Sequence, residues 1–249
     1  MKSVQRRSFL KTTASVAAVA ALPQVRLSAQ EAAATPAATV VVVHGKDIPK
    51  MLEAGIAKLG GWAAFIKPGN KVALKPNVAW NSLPEQGGNT HPDLIRACVL
   101  AAEAKGASSI TIPENTCHPE KATFKTSGVE NALKGTKARL YRPAKTDYQK
   151  VDIPQGKSIT SWDIYRDVLE TDVLIDVPIA KNHSLARLTL GGKNLLGVIS
   201  DPNQIHSALG QRIAGLVRRD TRRIAGPACR FTSQRVCAGR FAVPGRLAR

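Results

Sequence analysis

Polar residues able to bind an anion or move a proton recur just after short apolar runs. Lys75 and Asn77 follow the run 72–74, Glu114 and Asn115 follow 110–112, and Lys181, Asn182 and His183 follow 173–179. An ammonium or an amide at such a place can hold an oxyanion, and a histidine or glutamate can transfer a proton. The acid–base set read from residue type is therefore His183, Lys181, Glu114 and His91. The anion-binding set is Lys75, Asn77, Gly191, Gly192, Lys193 and Asn194, where paired glycines let backbone N–H groups approach a phosphate or carboxylate. A metal ion would take His183 and His206. Gly191-Gly192-Lys193-Asn194 lacks the spacing of a P-loop or a dinucleotide fingerprint, so nucleotide binding is unsupported.

Each of these residues also has a structural reading. Lys75 can lie along an apolar surface, Asn77 can satisfy a turn after Pro76, and His91 can cap the helix that opens at Pro92. Glu114 and Asn115 can cap a helix, and Cys98 falls on an apolar helix face. Cys117 has no argued base and ranks low as a nucleophile. Four cysteines without a C-x-x-C pair encode neither a zinc site nor an iron–sulfur run.

These residues need a scaffold that gathers the ends of several strands. Residues 40–44 are a β-branched run of the kind buried on both faces, and 71–75, 109–112 and 172–179 read as further strands. Helical spacing covers 48–59, a segment capped by Thr90 and opened by Pro92, the stretches 124–133 and 161–170, and then 195–199 and 205–216. Alternation of this kind predicts an α/β fold, a mostly parallel sheet with helices on both faces, incomplete at the C-terminus. In such sheets ligands bind outside the carboxyl ends of the strands, where the polar residues fall.

The net charge of +18 belongs mainly to the two ends. Residues 1–29 hold five basic residues and no acid, and 211–249 hold ten arginines, no lysine and one acid, Asp220. Residues 30–210 keep 21 basic and 17 acidic residues, an ordinary balance for a soluble domain. With aromatics at 4%, this disfavours a nucleic-acid binder. No apolar stretch reaches the roughly 18–20 residues of a spanning helix. Arg6-Arg7-Ser8-Phe9-Leu10-Lys11 ahead of a small apolar run has the form of a twin-arginine export signal, with Gln5 where Ser or Thr is usual. The organisation expected is a signal at 1–29, a linker at 30–39, the α/β domain at 40–217 and an Arg-rich tail at 218–249. Arg, Ala, Gly and Pro without lysine is what GC-rich codons yield out of frame, so the tail is expected to be non-native through a frameshift or truncation, and disordered.

Several ordered segments resemble one family. Val72-Ala73-Leu74-Lys75-Pro76-Asn77, Thr90-His91-Pro92, Val177-Pro178-Ile179-Ala180-Lys181-Asn182-His183 and Leu190-Gly191-Gly192-Lys193-Asn194-Leu195-Leu196-Gly197 are similar to the uncharacterised DUF362 domain, over about 40–215. The resemblance implies an α/β domain whose relatives sometimes carry iron–sulfur modules, which this chain's cysteines do not carry over. A second likeness links His183 and Gly191-Gly192-Lys193 to the His and Gly-Gly-x-Lys segments of nickel-dependent lactate racemase, with the lysine displaced by one position.

The reading that follows is an exported, periplasmic α/β protein acting as an enzyme on a small anionic substrate with metal assistance. The alternative is a non-catalytic periplasmic ligand binder or redox-partner module. The partners expected are the twin-arginine export machinery, the anionic ligand and, in the alternative, a redox partner. Replacing Arg6 and Arg7 together with lysine should stop export, because the pair is read as an address rather than as charge. Fractionation that still finds the double variant exported would remove that assignment.

Overall fold

The computed structural model describes residues 39–154, 156–220, 230–232 and 235–240, all within one unit, 36–249. Strand β1 (Thr39–His44) leads into helix α1 (Ile48–Lys58), whose first turn is capped by Asp47 accepting from the Lys50 N–H at 3.0 Å. Strand β2 (Lys71–Pro76) is followed by helix α2 (Pro92–Ala104), and β3 (Ser109–Pro113) by the short helices α3 (Glu120–Thr126) and α4 (Val129–Ala132). The single helix expected over 124–133 is broken at Gly128, whose φ of 75° no helix accommodates. Beyond β4 (Arg139–Tyr141) come β5 (Tyr148–Asp152), β6 (Ser161–Tyr165), helix α5 (Arg166–Glu170) and strand β7 (Val173–Val177).

The helix expected over 161–170 is thus half strand. Residues 161–165 pair antiparallel with β5, and Tyr148 stacks on Tyr165 across the ladder with ring centroids 4.5 Å apart. A cross-strand aromatic pair of this kind outweighs a local helical preference. The remaining elements are a two-stranded ribbon, β8 (Asn182–His183) and β9 (Arg187–Leu188), and then helix α6 (Gly191–Asn194) with a 3-10 turn at Leu195–Val198. Helices α7 (Pro202–Ile205) and α8 (Leu209–Asp220) are followed by strands β10 (Arg230–Thr232) and β11 (Arg235–Arg240).

The central sheet has the order β4-β3-β2-β7, with every pair parallel, as the alternating pattern predicts. One face buries Val72, Leu74, Ile110, Ile112, Ile175 and their neighbours against α1 and α2. The other carries Ala73 and Leu174 against Ile164, Tyr165, Val168 and the 195–199 turn. Strand period two puts Lys75 and Asp176, register partners across β2 and β7, on this second face.

Strand β1 corrects an expectation. It is not buried on both faces within the parallel sheet; it pairs antiparallel with β11, with Val40 62% and Val42 51% exposed. A β-branched run looks the same in a central strand as in a half-exposed ribbon, so composition alone cannot separate them. Helix α8 runs past the expected boundary at 217, and the described part of the tail, 230–232 and 235–240, forms strands that pair with each other and, through β11, with β1. The export signal with Arg6 and Arg7, the linker up to 38 and most of the remaining tail lie outside the described residues.

Of the two cap readings for α2, the one on His91 is borne out and the one on Thr90 is not. His91, not Thr90, is the N-cap of α2, its Nδ1 accepting from the Asp93 N–H at 3.2 Å. Thr90 instead ties the helix to the sheet. Its hydroxyl donates to the Val177 carbonyl at 2.7 Å and accepts from the Asn77 N–H at 2.8 Å. Thr90→Val keeps the shape but strands the buried Val177 carbonyl and the partly buried Asn77 N–H, and should cost about 1–3 kcal/mol in chemical denaturation. A variant as stable as the parent would show that the two bonds do not lock α2 to the strand ends.

Candidate functional site

At the carboxyl ends of β2 and β3 a lysine and a glutamate are sealed together. Lys75 is 1% and Glu114 2% exposed, and the Lys75 Nζ donates to both carboxylate oxygens at 2.8 and 2.7 Å and to the Pro76 carbonyl. All three ammonium hydrogens are thereby used. Glu114 also accepts from the Val78 N–H at 2.9 Å and the Asn115 N–H at 3.1 Å. Gly197 closes the top of the pair: a Cβ there would lie 2.4 Å from Lys75 Cε and 2.9 Å from Nζ. This is the signal in the last glycine of Gly-Gly-Lys-Asn-Leu-Leu-Gly that reading by residue type missed. Lys75 and Glu114 are brought together, but as an internal pair that leaves Lys75 no free N–H for a ligand.

A chain of side-chain amides leads outward from this base. Asn194, buried, donates to the Asp176 carboxyl at 2.7 Å and to the Lys75 carbonyl at 2.8 Å. Its oxygen accepts from Asn77 Nδ2 at 3.1 Å, and Asn77 Oδ1 accepts from Lys181 Nζ at 2.8 Å. Lys181 also donates to the Gly88 carbonyl. Residues more than one hundred positions apart are thus one connected array. Burial pushes the Asp176 carboxyl up to about 7, against the lowering effect of the Asn194 bond and the Lys75 charge, with Glu114 adding to the rise. Asp176 was not singled out by sequence, because an acid inside an apolar strand carries no motif.

The outer end of the array lies among cationic side chains. Lys181 is lowered to about 8, chiefly by burial, with Cys117 and Glu114 opposing the shift and the charge of Lys193 adding to it. Burial likewise lowers Lys193, which also feels Cys117. His183 is held below its usual value by burial, then by Lys193, His206 and Lys181. Its Nδ1 accepts from the Leu185 and Ala186 N–H groups at 3.2 and 3.1 Å, and its ring stacks on His206 with centroids 5.9 Å apart. Trp80 lies beside the same group, with Lys181 Nζ 5.8 Å from its ring centroid. Lys181, Lys193, His183 and His206 therefore share one region, with Asn77 and Asn194 behind it.

Other expected site residues do not join it. His91 is engaged by the α2 terminus. Gly191 and Gly192 open the one-turn helix α6, with the Asn194 N–H bonded to the Leu190 carbonyl at 2.9 Å. The metal expectation on His183 and His206 lacks a third donor, since among the described residues no three of His, Cys, Asp or Glu form a group that could hold a metal ion. Two imidazoles with no third donor among the described residues do not fit a resident nickel centre.

Fold and site together define an α/β domain with a group of cationic side chains at the carboxyl ends of a parallel sheet. The family described as a domain of unknown function, DUF362, matches residues 72–229, and the chain belongs to it. A twin-arginine translocation signal matches residues 3–23, so the protein carries an address for export by that pathway. The chain is similar, at 24% identity over 147 residues, to the thylakoid-associated protein sll1697 of Synechocystis, and this takes in 57% of the chain and 43% of that relative. It therefore spans less than half the length of the curated relative it matches. The lactate racemase apoprotein from Thermoanaerobacterium thermosaccharolyticum is a looser likeness, at 11% identity and a TM-score of 0.40, covering 65% of this chain and 39% of that one.

Asp176 sets a pH dependence whose sign follows from its raised pKa. The folded state keeps a proton that the unfolded chain releases near 4, so stability falls as pH rises from about 4 through about 7. Asp176→Asn, which still accepts from Asn194, should be increasingly more stable than the parent across that window, by up to the order of 4 kcal/mol. Parallel stability curves for parent and variant from pH 4 to 8 would contradict a raised Asp176.

Proposed function

We propose that this cationic group binds a small oxyanion, a carboxylate or phosphate, between Lys181 and Lys193, and that Lys181 exchanges a proton with it. The observation that carries this reading is two half-buried lysines that repel each other at the strand ends, with no ion-pair partner for either among the described residues. Partial burial strengthens the attraction for an entering anion, and the anion relieves the repulsion among Lys181, Lys193 and His183. Holding Lys181 near 8 rather than 10.5 brings its proton within reach of acid–base work close to neutral pH. Asn77 fixes the direction of the Lys181 ammonium, and the Asn194–Asp176 arm behind it fixes Asn77. The supporting fact from position is that open parallel sheets bind ligands at this end. The metal-assisted form of the reading has no donor set to support it, so the proposal rests on the lysines.

The test is an equilibrium titration of the exported protein with acetate and with inorganic phosphate. Lys181→Gln should weaken binding of the preferred anion about tenfold or more near pH 7. The parent's affinity should fall as pH rises through about 8, where the Lys181 ammonium loses its proton. Unchanged affinity in the variant, or a parent whose affinity ignores pH between 7 and 9, would refute it.

A further inference from the structure

Trp80 is large, aromatic and 43% exposed, yet it is firmly held. Its backbone is clamped by the buried Asn89, which accepts from the Trp80 N–H at 3.0 Å and donates to the Trp80 carbonyl at 2.7 Å and to Ser82 at 3.1 Å. Gly88 permits the turn, since a Cβ there would sit 2.7 Å from the Ser82 hydroxyl. The His118 ring meets the indole edge to face, with centroids 5.4 Å apart, and is itself oriented by the Asn81 N–H donating to its Nδ1 at 3.0 Å. Asn89 thus fixes the Trp80 backbone and His118 braces the indole itself, while the residue stays 43% exposed beside the Lys181 ammonium.

An exposed tryptophan that merely fills surface needs no such bracing. Exposing an immobilised indole forgoes the gain of burying it, whereas a ring that is already ordered loses little entropy when something stacks on it. Resting on the proposed anion site, we infer that Trp80 is a stacking platform and that the bound anion carries a flat unsaturated ring. The oxyanion lies on Lys181 and Lys193, and the ring covers the open surface of the indole. The distance of 5.8 Å between Lys181 Nζ and the indole centroid suits a benzoate-sized molecule, in which carboxylate and ring are directly joined. Offset stacking then adds to the charge interaction without a new ion pair.

Two matched pairs of probes separate ring from charge: benzoate against acetate, and phenyl phosphate against inorganic phosphate. In the parent, the aromatic member of the preferred pair should bind about tenfold more tightly. Trp80→Leu, which keeps apolar volume without a ring, should bring that ratio close to one, and Trp80→Phe should retain most of it. Thermal denaturation of each variant establishes that it is folded. A parent ratio near one, or a ratio that survives in Trp80→Leu, overturns the stacking platform while leaving the anion site intact. Absence of binding by all four probes overturns the anion site, and the platform with it.

Discussion

Burying Lys75 is the constraint around which the upper end of the sheet is built. A lysine ammonium inside a protein is tolerated only with a counter-charge and a full set of acceptors, and removing one partner of such a pair typically costs about 3–5 kcal/mol. Glu114 supplies two acceptors and Pro76 the third. Glu114 must in turn be held, which the Val78 and Asn115 amides do, and Gly197 must be bare for the chain to pass over the lysine. Strand β2, the exit from β3 and the 191–199 segment are therefore fixed relative to one another by a single charge.

The same arrangement divides the polar residues into two electrical roles. The inner pair is neutral overall and closed, so its field outside is small. The outer lysines are only half buried and have no ion-pair partner among the described residues, so they are the groups whose charge an incoming ligand meets. Between them lies the amide array Asn77–Asn194, which passes orientation rather than charge: each amide has one oxygen and one nitrogen, and the identity of one neighbour sets the flip of the next. Asp176 terminates this array as the one acid whose protonation can change within it near neutral pH.

Much of the fold was legible because it is written locally. Val72–Leu74 between polar ends, Pro92 opening an apolar-faced helix and Gly106 closing it are local patterns, and the parallel pairing of β2, β3, β4 and β7, though not their order, follows from the alternation. Two of the failures share one cause. Residues 161–165 and 39–44 took their state from partners distant in sequence, β5 in one case and β11 in the other. At Gly128 a backbone angle ended a helix that hydrophobic spacing would have continued.

For the site, residue type and position after a strand were enough to name Lys75, Asn77, Glu114, Lys181, His183, Lys193 and Asn194 as residues that belong near one another. Strand direction in a parallel sheet brings such residues to one end whatever their separation along the chain. Their division of labour was decided only in three dimensions. Whether a lysine binds a ligand or a buried glutamate depends on solvent access and on which acceptors lie within 3 Å of its nitrogen, and neither is a property of the sequence around it. The importance of Asp176, Gly197 and Trp80 arises in the same way, from what is packed against each of them: an amide, a lysine side chain and a histidine ring.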